Sequence, residues 1–188
     1  INQISDLCEA CGADVQDVAK GIGLDHRIGS KFLHPSPGYG GSCFPKDTRA
    51  LLETAKEYEV ALSLIEAGVS YNDTRKHKMA ERVTAHFKGN LKGKIIGVLG
   101  LTFKPNTDDM RESPSLSIIP ELVKAGAIVQ AYDPKGLNEA HHFFGDTITY
   151  CQDAYQAITG SDFTLILTEW NAFRALDLNR MKSLMKTP

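Results

Sequence analysis

The sequence has no surplus of positive charge and no long apolar segment. Its 188 residues include 21 Lys and Arg against 23 Asp and Glu, which gives a formal net charge of −2. A nucleic-acid-binding surface needs clustered basic side chains, so that class of protein is not favoured. The longest apolar runs, around Ile95–Leu101 and Phe163–Leu167, have the length of a strand and are too short to span a membrane. We therefore predict a protein that binds neither nucleic acid nor a membrane.

Cysteine is scarce, and its spacing does not indicate a metal site. The four cysteines are Cys8, Cys11, Cys43 and Cys151. Cys8 and Cys11 form one Cys-x-x-Cys pair, but a zinc site needs a second pair or histidines at ligand spacing. The pair lies in a helical pattern, which favours a buried stripe over a thiol-redox motif. We expect no metal and, without a signal peptide, a reducing, cytoplasmic location.

The glycine fingerprint Gly-x-Gly-x-x-Gly, with which a Rossmann domain binds the pyrophosphate of NAD, is also missing. Gly97-Val-Leu-Gly100 is only a weak partial match to it. The chain begins at Ile1, without a methionine and inside a predicted helix. We therefore expect that an amino-terminal part precedes it.

The pattern of apolar residues changes near residue 90. Residues 1–90 are typical of helices, and residues 91–188 alternate β-branched runs with helices, which predicts parallel pairing and right-handed crossovers. Helices are predicted at 2–11, 14–21, 47–58, 62–87, 114–125 and 152–159, and strands at 94–100, 127–132 and 163–168. On the helix at 47–58, Ala50, Leu51 and Ala55 are predicted to face inward. The predicted class is α/β overall: an all-helical domain over 1–90, then a Rossmann-like domain with a mainly parallel sheet over 91–188.

The most informative segment is the loop from His34 to Asp47. Three glycines in four positions let a backbone approach a ligand closely, and Cys43 follows them. Cys43 precedes a helix predicted to start near Asp47, so the partial charge of the helix terminus and of Lys46 would favour a thiolate nucleophile. Alternatively, Cys43 packs in the core and Asp47 is an ordinary helix cap. The two glycines before Cys43 favour the nucleophile.

These residues also carry a family resemblance. Gly-Tyr-Gly-Gly-Ser-Cys-Phe-Pro-Lys-Asp, ending at Asp47, resembles the active-site signature of the UDP-glucose 6-dehydrogenases of the UDP-glucose/GDP-mannose dehydrogenase family. The segments at 21–33 and 100–114 resemble the same family, as do Tyr132-Asp133-Pro134 and Thr168-Glu169-Trp170. The resemblance covers nearly the whole chain.

The resemblance implies an oxidoreductase that converts the C6 alcohol of UDP-glucose to a carboxylate with two NAD. Cys43 matches the nucleophile that forms a thiohemiacetal and then a thioester, and Asp47 matches an aspartate that acts on water. The positions matching substrate-binding residues are Arg27, Phe32, Leu33, His34, Pro35, Ser36, Tyr39, Gly40 and Lys104. Those matching residues near NAD are Lys46 and Arg111. Taken alone, Lys104 and Arg111 would be solvated surface charges.

The chain departs from the family in what it lacks. The NAD-binding domain, the catalytic lysine and asparagine expected upstream of Ile1 and a late Gly-Arg segment are absent, so the second domain is predicted to be truncated and the fragment inactive alone. The resemblance further implies a homodimer, with the helix at 62–87 in its interface. Two alternatives stay open: a dehydrogenase of GDP-mannose or of a UDP-N-acetylhexosamine, and a module that only binds UDP or dimerises.

Overall fold

A computed structural model describes residues 1–186 of the chain. The chain forms two compact units, one comprising Ile1–Gly38 and the other beginning at Tyr39. Helices alternate with parallel strands in the second unit, so the predicted α/β class is confirmed. The domain boundary near residue 90 stays a prediction. Within residues 1–186, no helix combines the length and apolar character needed to cross a bilayer.

The first unit contains helices α1 (Asn2–Cys11) and α2 (Val15–Gly23). α1 ends at Gly12, whose φ of 76° is a left-handed conformation that glycine adopts without steric cost. Asp14 caps α2, because its carboxylate accepts a hydrogen bond from the Gln16 backbone N–H at 2.8 Å. Cys8 is buried but Cys11 is exposed, so the predicted buried stripe is only partly confirmed.

The second unit opens with α3 (Phe44–Glu57) and α4 (Ser63–His86). On α3, Ala55 is buried as predicted, whereas Ala50 and Leu51 are exposed, which makes that part of the prediction wrong. α4 differs along its length: Ala80 near its end belongs to the core, while Leu64 near its start is 88% exposed. Apolar periodicity therefore identifies both helices, but it does not show how much of each apolar face the chain itself covers.

Over residues 1–186 the sheet has four strands, all parallel, in the order β3-β2-β1-β4. The strands are β1 (Ile95–Leu99), β2 (Ile128–Tyr132), β3 (Thr149–Tyr150) and β4 (Phe163–Ile166). The remaining helices are α5 (Ser115–Lys124), α6 (Leu137–Phe144), α7 (Ala154–Ile158), α8 (Asn171–Arg174) and α9 (Leu178–Leu184), with a 3₁₀ turn at Gly145–Thr147. The sequence analysis did not predict α6, β3, α8 or α9, which are short elements of 8, 2, 4 and 7 residues.

The apolar core lies on both faces of the sheet. Successive side chains of a strand point to opposite faces, so Ile96 and Val98 pack in one cluster and Leu99 in the other. Gly97 faces α7, where a Cβ would lie 2.6 Å from the Ala157 carbonyl oxygen. The glycine at this position therefore serves helix-on-sheet packing.

The strand order reverses between β1 and β4. β1 is followed by crossovers to β2 and β3 on one side, whereas β4 adds on the other side. In open parallel sheets, the crevice at the carboxyl ends of the two strands where the order reverses is the usual place for a ligand. Gly100 lies there with a φ of 91°, and a Cβ would lie 2.5 Å from Thr168. The chain between β1 and α5, residues 100–114, leaves the sheet at this point and is called the β1–α5 loop below.

Candidate active site

Cys43 lies at the amino terminus of α3, and its side chain is exposed. α3 begins at Phe44, earlier than the predicted start near Asp47, because Pro45 is tolerated in the first turn, where its missing N–H has no helical partner. The Cys43 carbonyl accepts a hydrogen bond from the Asp47 N–H at 2.8 Å. The sulfur is therefore accessible at the positive end of a helix dipole. Its role as a nucleophile stays a prediction.

Two cationic side chains lie within electrostatic reach of Cys43. Lys46 Nζ is 2.5 Å from Asp47 Oδ1, and this hydrogen bond raises the pKa of Lys46. The hydrogen bond from Arg111 to Asp109 likewise raises the pKa of Arg111. In both cases an electrostatic interaction with Cys43 makes the smallest contribution to the raised pKa of the cation. The structure thus brings Arg111 within electrostatic reach of Cys43, although the two residues lie far apart in the sequence.

Gly40 and Gly41 dock the loop before α3 onto the β1–α5 loop. Gly41 has a φ of 93° and donates its backbone N–H to the Arg111 carbonyl at 2.8 Å. A Cβ at Gly40 would lie 2.4 Å from the Glu112 carbonyl oxygen, and one at Gly41 would lie 2.7 Å from the Phe103 ring. Side chains are excluded at both positions because the backbones approach so closely. The two glycines therefore allow the loop before α3 to lie directly against the β1–α5 loop. A contact of Gly40 with substrate stays a prediction.

The same loop is held by α4. Asn72, which is buried on α4, accepts a hydrogen bond from the Tyr39 backbone N–H at 2.8 Å and donates one to the Tyr39 carbonyl at 3.1 Å. The Tyr39 ring packs edge-on against Phe44, with 4.7 Å between ring centroids, and burial raises the pKa of the Tyr39 phenol. Sequence reasoning did not identify Asn72. The only signal was an amide on a helix face that also carries apolar residues.

Lys104 and Arg111 both lie on the β1–α5 loop. Lys104 is exposed, and its Nζ is 5.2 Å from the centroid of the Phe103 ring, within the range of a cation–π contact. The Arg111 guanidinium is held by Asp109, with Nε 3.0 Å from Oδ1 and Nη2 2.8 Å from Oδ2. This hydrogen bonding from Arg111 lowers the pKa of Asp109. Lys104 and Arg111, predicted to contact substrate and cofactor respectively, therefore share one loop, which contacts the loop before α3.

The other predicted site residues belong to the first unit. The Arg27 guanidinium pairs with Asp25, with Nη2 2.6 Å from Oδ2, and this hydrogen bond raises the pKa of Arg27. Ser36 donates its backbone N–H to the Asn2 side chain at 2.9 Å. The rest of the segment comprises exposed Phe32 and His34 and partly buried Leu33 and Pro35. Contacts of these residues with substrate stay predictions.

Asp133 is a second, very different carboxylate, 1% exposed at the carboxyl end of β2. Its Oδ1 accepts hydrogen bonds from the backbone N–H groups of Lys135 and Gly136. Its Oδ2 accepts from the backbone N–H groups of Leu101 and Thr102, the Thr102 hydroxyl and the Trp170 indole. In dinucleotide-binding domains an acidic residue in this region binds a ribose. Here both oxygens are occupied by the protein, so Asp133 stabilises the fold.

Comparison with known proteins identifies the family. Residues 1–74 match the central domain of the UDP-glucose/GDP-mannose dehydrogenase family, and residues 97–188 match its UDP binding domain. The chain belongs to this family. The loop before α3 and the start of α3 lie within the first of these two matches, and the β1–α5 loop lies within the second.

Two curated members of the family align over the full chain. A UDP-glucose 6-dehydrogenase of Rhizobium meliloti (strain 1021) is 55% identical, and the chain covers 43% of it. The UDP-glucose 6-dehydrogenase TuaD of Bacillus subtilis (strain 168) is 46% identical, and the chain covers 41% of it. A solved UDP-glucose dehydrogenase from Pyrobaculum islandicum superposes with a TM-score of 0.88 at 31% identity, over 99% of this chain and 45% of that one. The chain therefore spans less than half the length of these relatives.

Proposed function

We propose that the complete protein carrying this chain oxidises the C6 alcohol of UDP-glucose to a carboxylate with two NAD. The observation that carries the proposal is the exposed Cys43 sulfur at a helix amino terminus, with Lys46 and Arg111 nearby. A cysteine nucleophile is expected where a thiol is accessible and surrounded by positive charge. The names of the aligned relatives support UDP-glucose as the substrate.

In this proposal, Cys43 acts between two oxidations. The C6 alcohol first loses a hydride and a proton and becomes an aldehyde. The Cys43 thiolate adds to the aldehyde carbon, and the resulting thiohemiacetal loses a second hydride and a proton to become a thioester. Water then breaks the carbon–sulfur bond, which releases the carboxylic acid and restores Cys43. The covalent step divides one difficult oxidation into easier ones and keeps the aldehyde attached to the protein.

NAD, when bound, supplies the hydride acceptor for both oxidations. The described residues fit only part of such a cofactor. Lys46 and Arg111 are exposed cations near Cys43, and their positive charge suits the phosphates of NAD. A glycine fingerprint is absent from the sequence, and Asp133 is already saturated with hydrogen bonds. We therefore assign Lys46 and Arg111 to one edge of the cofactor and expect its main binding domain elsewhere in the complete protein.

We assign Asp47 to the hydrolytic step. It lies one helical turn after Cys43 with an exposed carboxylate, so a water molecule held by it can reach a carbon attached to the sulfur. Lys46 Nζ donates a hydrogen bond to this carboxylate at 2.5 Å. An ionised carboxylate accepts hydrogen bonds from water and can take up its proton.

A cysteine variant tests the function. In the complete protein, Cys43→Ala is expected to abolish formation of UDP-glucuronate from UDP-glucose and NAD, because no thioester can form. The matched control is Cys11→Ser, which changes another exposed cysteine and is expected to retain activity. Uronic acid formation at the normal rate by the Cys43→Ala protein would refute the proposal. Turnover on GDP-mannose and on UDP-N-acetylhexosamines, measured in parallel, tests the choice of substrate.

The same proposal includes statements about the whole protein. The isolated 188-residue chain is expected to show no turnover, since it spans less than half of its relatives. A homodimer and a cytoplasmic location belong to the proposal as well. Turnover by the isolated chain, or a monomeric complete protein in sedimentation analysis, would contradict the corresponding part. A shift of its thermal unfolding by UDP would show that the isolated chain binds this ligand.

A further inference from the structure

Glu112, on the β1–α5 loop, connects three parts of the second unit through its carboxylate. It forms a two-point ion pair with Arg49 of α3, with Nη1 2.8 Å from Oε1 and Nη2 3.3 Å from Oε2. Its Oε2 also lies 3.5 Å from Nζ of Lys76 on α4, whose side chain is only 5% exposed. A bidentate guanidinium–carboxylate pair fixes direction as well as distance. Glu112 therefore orients α3 relative to the β1–α5 loop.

The backbone of Glu112 contacts the residues that precede Cys43 in the sequence. Glu112 has a φ of 55°, a left-handed conformation that is uncommon for a residue with a side chain. In this conformation its carbonyl faces Gly40, where a Cβ would lie 2.4 Å from the oxygen. The preceding Arg111 carbonyl accepts the Gly41 N–H at 2.8 Å. Residues 111 and 112 therefore contact the chain on both sides of Cys43. Gly40 and Gly41 precede Cys43 in the sequence, and Arg49 follows it.

The charge of Glu112 suits this role. Hydrogen bonding from Arg49 lowers the pKa of Glu112, and the charges of Arg49 and Lys76 lower it further. The Glu112 carboxylate is therefore ionised at neutral pH. Exposed ion pairs contribute little to stability, but an ion pair with fixed geometry can set the position of a side chain that reacts.

We propose that Glu112 is a positioning residue for Cys43, holding the sulfur where it can add to the aldehyde. This inference rests on the proposed function, since it concerns the step that Cys43 performs. Loss of the Glu112 carboxylate slows addition of sulfur to the aldehyde while the first oxidation continues. Free aldehyde then leaves the protein. A role limited to stability would lower both oxidations together and leave their ratio unchanged.

The ratio of trapped aldehyde to uronic acid tests the inference. The complete protein is assayed with UDP-glucose and NAD in the presence of hydroxylamine, which captures free aldehyde as an oxime. Glu112→Gln is expected to raise the ratio of trapped aldehyde to uronic acid about 10-fold. Misplacing a reacting group by ~1 Å can slow a reaction roughly 100-fold, so a smaller displacement of the sulfur is enough for this effect. The matched control is Asp73→Asn, which removes the other carboxylate near Arg49, at 3.9 Å. The control is expected to keep the wild-type ratio.

A second variant covers the case in which Glu112→Gln does not fold, since it leaves the buried Lys76 without this carboxylate. Arg49→Gln breaks the same ion pair at a side chain that is 45% exposed and is expected to raise the ratio in the same direction. A wild-type ratio in folded Arg49→Gln and Glu112→Gln proteins would overturn the inference. Cys43→Ala separates the two proposals: it releases aldehyde as its end product if Cys43 is the nucleophile, whatever the Glu112 result.

Discussion

The surroundings of Cys43 and of Asp133 use polar side chains in opposite ways. Around Cys43, the side chains of Lys46, Asp47 and Arg111 are exposed, and their ion pairs form at the surface. Asp133 is buried, and both of its oxygens accept hydrogen bonds from the β1–α5 loop, Trp170 or the turn after β2. Both regions belong to the second unit and interact with the β1–α5 loop, Asp133 near the start of the loop and Cys43 near its end. A polar group whose bonds are all made inside the protein stabilises the loop, whereas accessible charged groups can act on a ligand.

The largest expected effect on stability comes from Asp133→Ala. The change leaves several buried N–H groups and a buried hydroxyl without an acceptor, and each unsatisfied group costs about 1–3 kcal/mol. We expect the free energy of unfolding to fall by at least ~3 kcal/mol in urea denaturation. Asp146→Ala, at an exposed aspartate of the 3₁₀ turn, is the control and is expected to stay within about 0.5 kcal/mol. An equal loss of unfolding free energy in Asp133→Ala and Asp146→Ala would show that the buried hydrogen bonds of Asp133 do not stabilise the fold.

Asp47→Asn is expected to affect activity with little effect on folding. The amide cannot take up a proton from water, so hydrolysis of the thioester slows by about 100-fold or more. The pKa of Lys46 also falls toward its ordinary value, because the hydrogen bond from Asp47 is the main cause of its increase. Quenched-flow mass spectrometry should show the thioester accumulating on Cys43. Its absence, together with normal turnover, would count against the assignment of Asp47.

Gly41→Ala is expected to show that the close approach in the loop before α3 is required. The added Cβ meets both an unfavourable φ of 93° and the Phe103 ring at 2.7 Å, so we expect a loss of about 2–3 kcal/mol. Gly89→Ala is the matched control: its φ is 84°, but a Cβ there meets nothing within 4 Å. It should lose only the conformational part, about 1 kcal/mol. If the two variants lose the same amount, contact with Phe103 is not what requires a glycine.

The smallest expected effect is a pH dependence of stability at Glu112. Its folded pKa lies below the ordinary value of 4.5, so its ion pairs contribute stability above that value and lose it as pH falls through the folded pKa. Because the side chain is 38% exposed, the contribution is at most about 1 kcal/mol. The difference in unfolding free energy between the wild-type and Glu112→Gln proteins should therefore shrink between neutral pH and about pH 3. A difference that grows on acidification would show the opposite linkage.

Local patterns predicted much of the fold. The apolar periodicity of α1, α4 and α5 and the β-branched runs of β1 and β4 are properties of neighbouring residues, so they can be recognised without tertiary structure. β3 and α9 were not predicted, since two strand residues or seven helix residues carry too little periodicity. The exposure of Leu51 was predicted wrongly, because a helical pattern does not specify which apolar residues another part of the chain covers.

The candidate site divides in the same way. The sequence by itself determined the Gly-Gly-Ser-Cys segment, the α/β order of the second half and the family resemblance, because each depends on residues that are adjacent in the chain. Only the tertiary structure decided that Arg111 approaches Cys43, that Asn72 and Glu112 hold the loop before α3, and that Asp133 is saturated with hydrogen bonds. These contacts join residues far apart in the chain, and their formation depends on how the helices and strands pack.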